Sequence, residues 1–376
     1  MSKKIFVVTG EPSGDKLAAK VISKLQKSDS RIEYLSVGGE HLKALGVSSI
    51  YDLKEVTYLG FTKVLFNIFK INKKINETVN KVIQYNPNIL FSVDSPDFTL
   101  RVAKKVKKIN PKVKTIHFVS PKVYVWRENR VKSLKKFLDH ILLLFPFEKK
   151  YYDRESINST FTGHPLLEEV EKNNVDLNHI IKNRKKIISI YPGSRYSEIK
   201  VLMPILLGFI KLMNEKYKDI SFIFHSTSEY AHLINQLLSK ENFINCDVIS
   251  DEKIKSFVLK KSIFAVAKSG TVSLEICNAK IPSIIIYKMN SINFFIVKSL
   301  VKVKFANIIN IAANDEIIPE LLQSKCNSIN IFNKVDSLLK NNKDLEIQIT
   351  RTQKIISEFK TNKSSEIASR VLLNYI

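Results

Sequence analysis

Two acidic side chains follow the first short apolar run of the chain, in the hexapeptide GEPSGD at Gly10–Asp15. A loop that joins a strand to a helix offers unpaired backbone N–H groups and the positive end of a helix dipole. This loop departs from the dinucleotide pattern G-x-G-x-x-G, and its acids Glu11 and Asp15 would repel a pyrophosphate. An uncharged ligand that carries hydroxyl groups therefore fits it better. The alternative is a tight turn in which Asp15 caps the helix.

A second pair of acids stands in VDSPDF at Val93–Phe98, directly after an apolar run that predicts a buried strand. Proteins of the α/β class place their active sites at the carboxyl ends of such strands. A carboxylate at this place, beside a sugar hydroxyl, suits the role of general base. The alternative is helix capping by Ser95 and Asp97, which explains Asp97 better than Asp94.

The single tryptophan, Trp126, lies in the segment Ser120–Arg130 together with Arg127. An indole ring and a guanidinium group just after a strand suit a phosphosugar, because arginine binds phosphate through two parallel hydrogen bonds. The alternative is a structural aromatic residue flanked by surface arginines.

The second half of the chain contains two glycine-serine turns, each at the start of a predicted helix. In Tyr191–Arg195, Ser194 and the neighbouring Arg195 predict a diphosphate site. The later turn Ser269–Thr271 offers N–H and O–H donors to phosphate groups, and Glu275 can accept hydrogen bonds from a ribose diol. The alternative for Glu275 is an exposed acid on a helix.

The candidate residues can act together only if strands and helices bring their loops to the same side of a sheet. Short apolar runs alternate with helical stretches, which predicts parallel sheets with right-handed crossovers. We predict an α/β fold with two Rossmann-like domains that face a cleft, and a C-terminal helix over about Leu345–Ile376 that packs back on the first domain. The predicted domains are 1–167 and 168–344, followed by a helical segment over 345–376. His164, at the domain junction, either faces the cleft or is a hinge residue.

The composition is that of a globular protein. The chain has 376 residues, 44% hydrophobic and 10% aromatic, which excludes intrinsic disorder. Its 60 basic and 36 acidic residues give a formal net charge of +24, but only nine of the basic residues are arginine. This excess of lysine is better explained by a solvated surface, or by binding to an anionic membrane or a phosphate-rich substrate, than by dedicated nucleic-acid binding.

The Cys and His residues show neither C-x-x-C nor H-x-x-x-H spacing, so we predict no disulfide framework, no metal site and no cofactor. The first apolar run, Ile5–Val8, is shorter than the roughly 7–15 residues of a signal peptide core. No stretch approaches the ~18 apolar residues of a spanning helix. We therefore expect the protein to be soluble and cytoplasmic.

Two apolar-basic stretches, Tyr58–Lys74 and Phe294–Phe305, are typical either of interfacial helices on anionic lipid or of ordinary amphipathic helices.

Taken together, the motifs resemble those of the lipid-A-disaccharide synthase family, in family order over nearly the whole chain. The matching segments are GEPSGD at Gly10–Asp15, VDSPDF at Val93–Phe98, IHFVSPKVYVWRENRV at Ile116–Val131, LFPFEKKYYD at Leu144–Asp153, GHPL at Gly163–Leu166, PGSR at Pro192–Arg195, SGTVSLE at Ser269–Glu275 and NIAANDEIIPELLQ at Asn310–Gln323.

The resemblance implies a GT-B fold and an inverting glycosyltransferase, with domain 1–167 on the acceptor and lipid side and domain 168–344 binding the UDP-sugar. Its reaction joins UDP-2,3-diacylglucosamine to 2,3-diacylglucosamine 1-phosphate, forms a β(1→6) link and releases UDP. Asp94 is then the candidate general base, with Asp97 and Glu11 in reserve. The implied UDP ligands are Arg195, Ser194, Ser269, Gly270, Thr271, Glu275, Asn310 and Glu316. The implied acceptor-side residues are Glu11, Ser13, Asp97, Trp126 and Arg127.

Because both implied substrates carry acyl chains, the resemblance also implies an enzyme that lies peripherally on the inner face of a Gram-negative inner membrane. A homodimer is left open. Two other functions remain as rivals. Another UDP-sugar GT-B transferase would have a glycine-rich first loop, which GEPSGD is not, and a basic nucleic-acid-binding protein would spread its arginines along a stripe.

Overall fold

The computed structural model describes residues 3–57, 68–126, 130–168, 186–289, 294, 303–361 and 363–376. The chain divides into two compact units. The first unit is Met1–Glu168 with Phe359–Ile376, and the second is Glu169–Glu358. Each unit has its own hydrophobic core around one six-stranded sheet.

The strands of the first unit pair in parallel throughout, and the central ones are buried apolar runs. They are β1 Lys3–Thr9, β2 Ile32–Val37, β3 Ile89–Val93, β4 Lys114–Phe118, β5 His140–Leu143 and β6 Ser159–Phe161, in the sheet order β2-β1-β3-β4-β5-β6. Every residue of β3 is buried, as expected of a parallel strand covered on both faces. The helices of this part are α1 Pro12–Ser28, α2 Glu40–Lys43, α3 Ile68–Tyr85, α4 Pro96–Ile109, α5 Val123–Trp126, α6 Arg130–Leu134 and α7 Lys149–Asp153.

The second unit has the same kind of sheet with a different strand order. Its strands are β7 Lys186–Tyr191, β8 Ile220–His225, β9 Cys246–Ile249, β10 Phe264–Lys268, β11 Ser283–Tyr287 and β12 Glu320–Leu322, in the order β12-β11-β10-β7-β8-β9. Its helices are α8 Tyr196–Lys216, α9 Ser228–Lys240, α10 Glu252–Lys261, α11 Val272–Asn278, α12 Ile308–Ala313, α13 Ser328–Lys340 and α14 Asn342–Phe359. The predicted α/β class with two Rossmann-like sheets is therefore confirmed.

Each strand order contains one point where the chain reverses its direction of travel across the sheet. In the first sheet this switch point lies between β1 and β3, and in the second it lies between β7 and β10. Open α/β sheets bind their ligands at the carboxyl ends of the strands that flank such a point. The loops after these four strands are therefore where a site is expected.

The C-terminal segment differs from the single helix expected over 345–376. It forms α14 and a second helix, α15 Ser364–Leu373. The break is held by the first unit, because Thr361 Oγ1 donates to the carbonyl of Thr162 and Ser364 Oγ donates to that of Gly163. Gly163 has φ +81°, and a Cβ added there would meet Thr361, so this close approach requires glycine.

Helix α1 begins at Pro12, inside the GEPSGD segment. Proline has no N–H and a preset φ, so it is well suited to the first turn of a helix. Within the described ranges, no helix is both long and apolar enough to span a membrane.

Candidate functional site

The two loops that flank the first switch point touch each other through glycine positions. A Cβ added at Gly10 would lie 2.6 Å from the Cβ of Ser95, and one added at Gly14 would lie 3.0 Å from the carbonyl oxygen of Val93. Any larger side chain would push the loops apart. The sequence motifs GEPSGD and VDSPDF therefore meet at one edge, which we call the first edge.

Asp94 is fixed at the first edge by a strained backbone. Asp94 and Ser95 have φ values of 53° and 44°, a left-handed conformation that non-glycine residues adopt at a cost of about 1–3 kcal/mol each. The Asp94 N–H donates to the carbonyl of Phe118 at 2.9 Å, and the Thr99 hydroxyl donates to the carbonyl of Asp94 at 2.6 Å. The half-buried carboxylate accepts from the Ser95 N–H at 2.8 Å. Strain held in this way is typical of functional sites.

The other acids of the two motifs have different surroundings. Asp15 is buried, and its two carboxylate oxygens accept from the N–H groups of Gly39 and His41 at 2.7 and 2.8 Å. It thus caps α2, not its own helix as the alternative interpretation supposed. Asp97 is 82% exposed and lies 3.6 Å from Arg130, with no capping role shown.

The remaining residues expected at the first edge are partly described. Glu11 is the N-cap residue of α1 with an extended backbone, and Ser13 is exposed in its first turn. Arg127 and the side chain of Trp126 lie outside the described residues.

A buried acid in the turn after β5 was not foreseen from the sequence. Glu148 is 2% exposed, and its carboxylate accepts from the Phe145 N–H at 3.1 Å. Burial raises the pKa of Glu148 to about 8, against the opposing effects of the Phe145 N–H, the Ser120 hydroxyl and Lys122. The Ser120 and Tyr152 hydroxyls lie 2.6 Å apart beside it. This network holds Ser120, the first residue of the segment that carries Trp126. The only sequence signal for the network was a single acid between aromatic residues, in LFPFEKKYYD at Leu144–Asp153.

The loops at the second switch point are joined by an ion pair. Lys268, the last residue of β10, places its Nζ 2.8 Å from Glu198 Oε1 in the first turn of α8. The other oxygen of Glu198 accepts from the Ser194 N–H at 3.1 Å. Gly193, with φ 111°, leaves room for that carboxylate, and Arg195 is exposed as the N-cap residue of α8. We call this region the second edge.

The turn after β10 offers fewer donors than expected. The Ser269 N–H donates to Ile286 at 3.2 Å and its hydroxyl donates to Ala306 at 2.8 Å, so both donors of this residue are used within the chain. Gly270 and Thr271 are exposed, and they are left as the donors toward a ligand. The helix that follows, α11, is only 7 residues long, so individual groups matter here more than a helix dipole.

Asn310 is a buried residue of α12, and its side chain bonds to the loop before β12. Its amide nitrogen donates to Ile318 and Glu320 at 2.7 and 2.8 Å, and its oxygen accepts from the N–H groups of Ile317 and Ile318 at 3.0 and 2.9 Å. All four hydrogen-bonding positions are thus taken by the chain, and the side chain shapes the loop. Glu316 is exposed and accepts from the Glu320 N–H at 3.0 Å.

An aromatic pair lies at the ends of two neighbouring strands, with Tyr191 as the last residue of β7 and His225 as the last residue of β8. The rings of Tyr191 and His225 stack with centroids 4.2 Å apart. Burial lowers the pKa of His225 to about 3, so it is neutral and its Nε2 lies 2.8 Å from Ser189 Oγ. The pKa of Tyr191 is raised by burial and then by the negative charge of Glu275, which places that exposed acid near the ring.

Comparison with known proteins decides the family. The family model described as lipid-A-disaccharide synthetase matches residues 5–372. The chain belongs to the lipid-A-disaccharide synthase family. Members of this family are glycosyltransferases, so the chain is an enzyme of that class. The two rival functions, another UDP-sugar transferase and a nucleic-acid-binding protein, are not favoured.

Individual relatives agree with that assignment. The chain is 35% identical to the lipid-A-disaccharide synthase of Rickettsia bellii over 379 residues and 33% identical to that of Rickettsia typhi over 378 residues, with 98% of both chains covered in each case. Among solved structures, it is similar to UDP-GlcNAc 2-epimerase from Neisseria meningitidis bound to UDP-GlcNAc. The TM-score is 0.68, the identity is 17%, and 99% of this chain and 100% of that chain are covered. This likeness concerns the fold, which is of the GT-B kind.

Proposed function

We propose that the chain transfers 2,3-diacylglucosamine from its UDP donor to the 6-hydroxyl of 2,3-diacylglucosamine 1-phosphate. The observation that carries this proposal is the position of the motif pairs, each at the switch point of its own sheet. One edge carries fixed carboxylates and the other carries cations and hydroxyls, as acceptor activation and diphosphate binding respectively need. We assign the first unit to the acceptor and the second to the UDP-sugar.

On the acceptor side, Asp94 removes the proton of the attacking hydroxyl. The oxygen then attacks the anomeric carbon on the face opposite the diphosphate, the anomeric C–O bond to the diphosphate breaks, and UDP leaves with the bonding electrons. This sequence inverts the anomeric centre and gives the β(1→6) product. The rigid backbone of Asp94 and Ser95 supports the assignment, since a general base must be held within hydrogen-bond reach of its proton. The neighbouring residues assigned to the acceptor are Glu11, Ser13, Asp97, Trp126 and Arg127.

On the donor side, Arg195, the Ser194 hydroxyl and the donors of Gly270 and Thr271 bind the diphosphate and stabilise its growing negative charge. Glu275 accepts from the ribose diol. Ser269, Asn310 and Glu316 act through the loops they hold, since the donors of Ser269 and all four positions of Asn310 bond within the chain.

We further propose that the enzyme lies on the inner face of the inner membrane and collects its substrates there. The ring of Phe69 in α3 is 87% exposed beside the exposed Lys70 and Lys73, which suits an interface with anionic lipid. The rest of the stretch Tyr58–Lys74 up to residue 67, and most of Phe294–Phe305, lie outside the described residues. The homodimer stays a prediction.

The direct test is an assay with radiolabelled UDP-2,3-diacylglucosamine and the acceptor 1-phosphate, resolved by thin-layer chromatography. We expect a labelled disaccharide 1-phosphate, and none when the acceptor is omitted. Failure to form it, in a preparation that binds UDP by calorimetry, would show that the acceptor is assigned wrongly while the donor assignment stands.

A further inference from the structure

One cation at the second edge has no role in the residue assignments above. Lys268 ends β10 and stands directly before the turn Ser269–Thr271. Its side chain is 19% exposed, and its Nζ lies 5.2 Å from the centroid of the Tyr287 ring. An ammonium group with so little exposure loses part of its hydration, which has a free-energy cost that a solvated surface lysine does not have.

The position of Lys268 is set by Glu198. Their charged groups lie 2.8 Å apart, and the Glu198 side chain is 15% exposed. The same carboxylate accepts from the Ser194 N–H at 3.1 Å. Glu198 therefore connects the loop after β7 to the end of β10, and it holds the ammonium between the two loops that flank the switch point.

A second cation lies within electrostatic range of the same ring. The pKa of Tyr287 is raised by burial and by the negative charge of Glu198, and the positive charge of Arg195 opposes this rise. Lys268 and Arg195 thus approach Tyr287 from the two loops of one switch point. Since Glu198 offsets one of these charges, a bound diphosphate would meet a net positive group of three side chains.

We propose that Lys268 is a further ligand of the donor's diphosphate, and that Glu198 is the positioning residue that orients it. This inference rests on the proposed UDP-sugar site in the second unit. When the anomeric C–O bond breaks, the diphosphate gains negative charge, and a partly desolvated ammonium group stabilises that charge more strongly than an exposed one. Lys268 therefore contributes to nucleotide binding and to departure of UDP.

The test measures how the effect of Lys268 depends on the number of phosphates. Calorimetry with UDP, UMP and uridine compares the unaltered protein with Lys268→Met, which keeps most of the length of the side chain and removes its charge. We expect UDP affinity to fall by about 10- to 100-fold, the range for loss of a hydrogen bond to a charged group. UMP affinity should fall less, and uridine affinity should stay within about twofold. Lys268→Arg should retain part of the UDP affinity because it keeps the charge.

The matched control is Lys211→Met, which removes a lysine from another ion pair of the same unit, 2.6 Å from Glu241. It should leave all three affinities unchanged. An unchanged UDP affinity in Lys268→Met would overturn the inference, and so would an equal loss for uridine and UDP, which indicates a distorted site. If the unaltered protein bound no UDP, the proposed function itself would fail, and the inference with it.

Discussion

The first and second edges belong to two sheets of the same kind, but they differ in what holds their side chains in place. Both lie at the switch point of a six-stranded parallel sheet. At the first edge, the backbone holds Asp94 through left-handed residues and bonds from neighbouring strands. At the second edge, side chains hold one another, as in the pair of Lys268 and Glu198.

The difference follows from what each edge has to do. A general base works only if its carboxylate keeps one position relative to the reacting hydroxyl, and a strained backbone supplies that rigidity. A diphosphate site needs several cationic or N–H donors, and longer side chains can adjust to it. Topology therefore determines where each ligand lies, and the loop residues determine which ligand it is.

The largest effect is expected from Asp94→Asn. The amide keeps the size of the side chain but no longer accepts a proton, so the turnover number should fall by about 10²–10⁴-fold. The UDP affinity should stay within about twofold, because the UDP site is assigned to the other unit. Initial rates by the radiolabel assay and UDP binding by calorimetry measure the two quantities.

Asp52→Asn is the control for that change, since Asp52 is an exposed acid of the same unit with no assigned role, and an amide oxygen can still accept from the Lys54 N–H. It should retain most of the activity. If the two variants lost activity equally, the base would not be Asp94 and the proposed division between the edges would be incorrect.

Sequence reasoning located both edges because the motifs and the strand alternation are local signals. It placed GEPSGD and VDSPDF at strand ends, and the structure shows that glycine at positions 10 and 14 is what lets these loops touch. It could not foresee that the donors of Ser269 are used within the chain or that Asn310 is enclosed, because both depend on contacts with distant segments. The ion pair of Lys268 and Glu198 joins residues 70 positions apart, and no spacing rule predicts it.

A second prediction compares two buried acids, one in each unit. Burial raises the pKa of Glu148 to about 8. Burial also raises the pKa of Glu320, but this rise is opposed by hydrogen bonds from the N–H groups of Ala306 and Asn307 and from Asn310. A carboxyl group that stays protonated in the folded state but ionises in the unfolded state makes stability fall as pH rises. Between pH about 5 and about 8, Glu148 should lower the free energy of unfolding by up to about 1.4 kcal/mol per pH unit.

Glu148→Gln should abolish that slope, because the amide resembles the protonated acid and cannot ionise. Urea unfolding at several pH values measures it. Glu320→Gln should instead destabilise the fold by about 1–3 kcal/mol at a pH where Glu320 is ionised, because an NH₂ group would face N–H donors. An unaltered slope in Glu148→Gln would mean that Glu148 is ionised in the folded protein and would contradict this prediction.

The smallest effect is expected from one added methyl group at each edge. Gly10→Ala brings a Cβ to 2.6 Å from Ser95, so the loop that carries Asp94 must move, at a cost of about 1–3 kcal/mol of stability and with lower turnover. Gly270→Ala meets nothing closer than 3.9 Å, and its stability should change by no more than about 0.5 kcal/mol. Thermal unfolding and initial rates on both variants compare the edges. Equal tolerance would show that the first edge is as adjustable as the second, and that the backbone of Asp94 does not have to be rigid for catalysis.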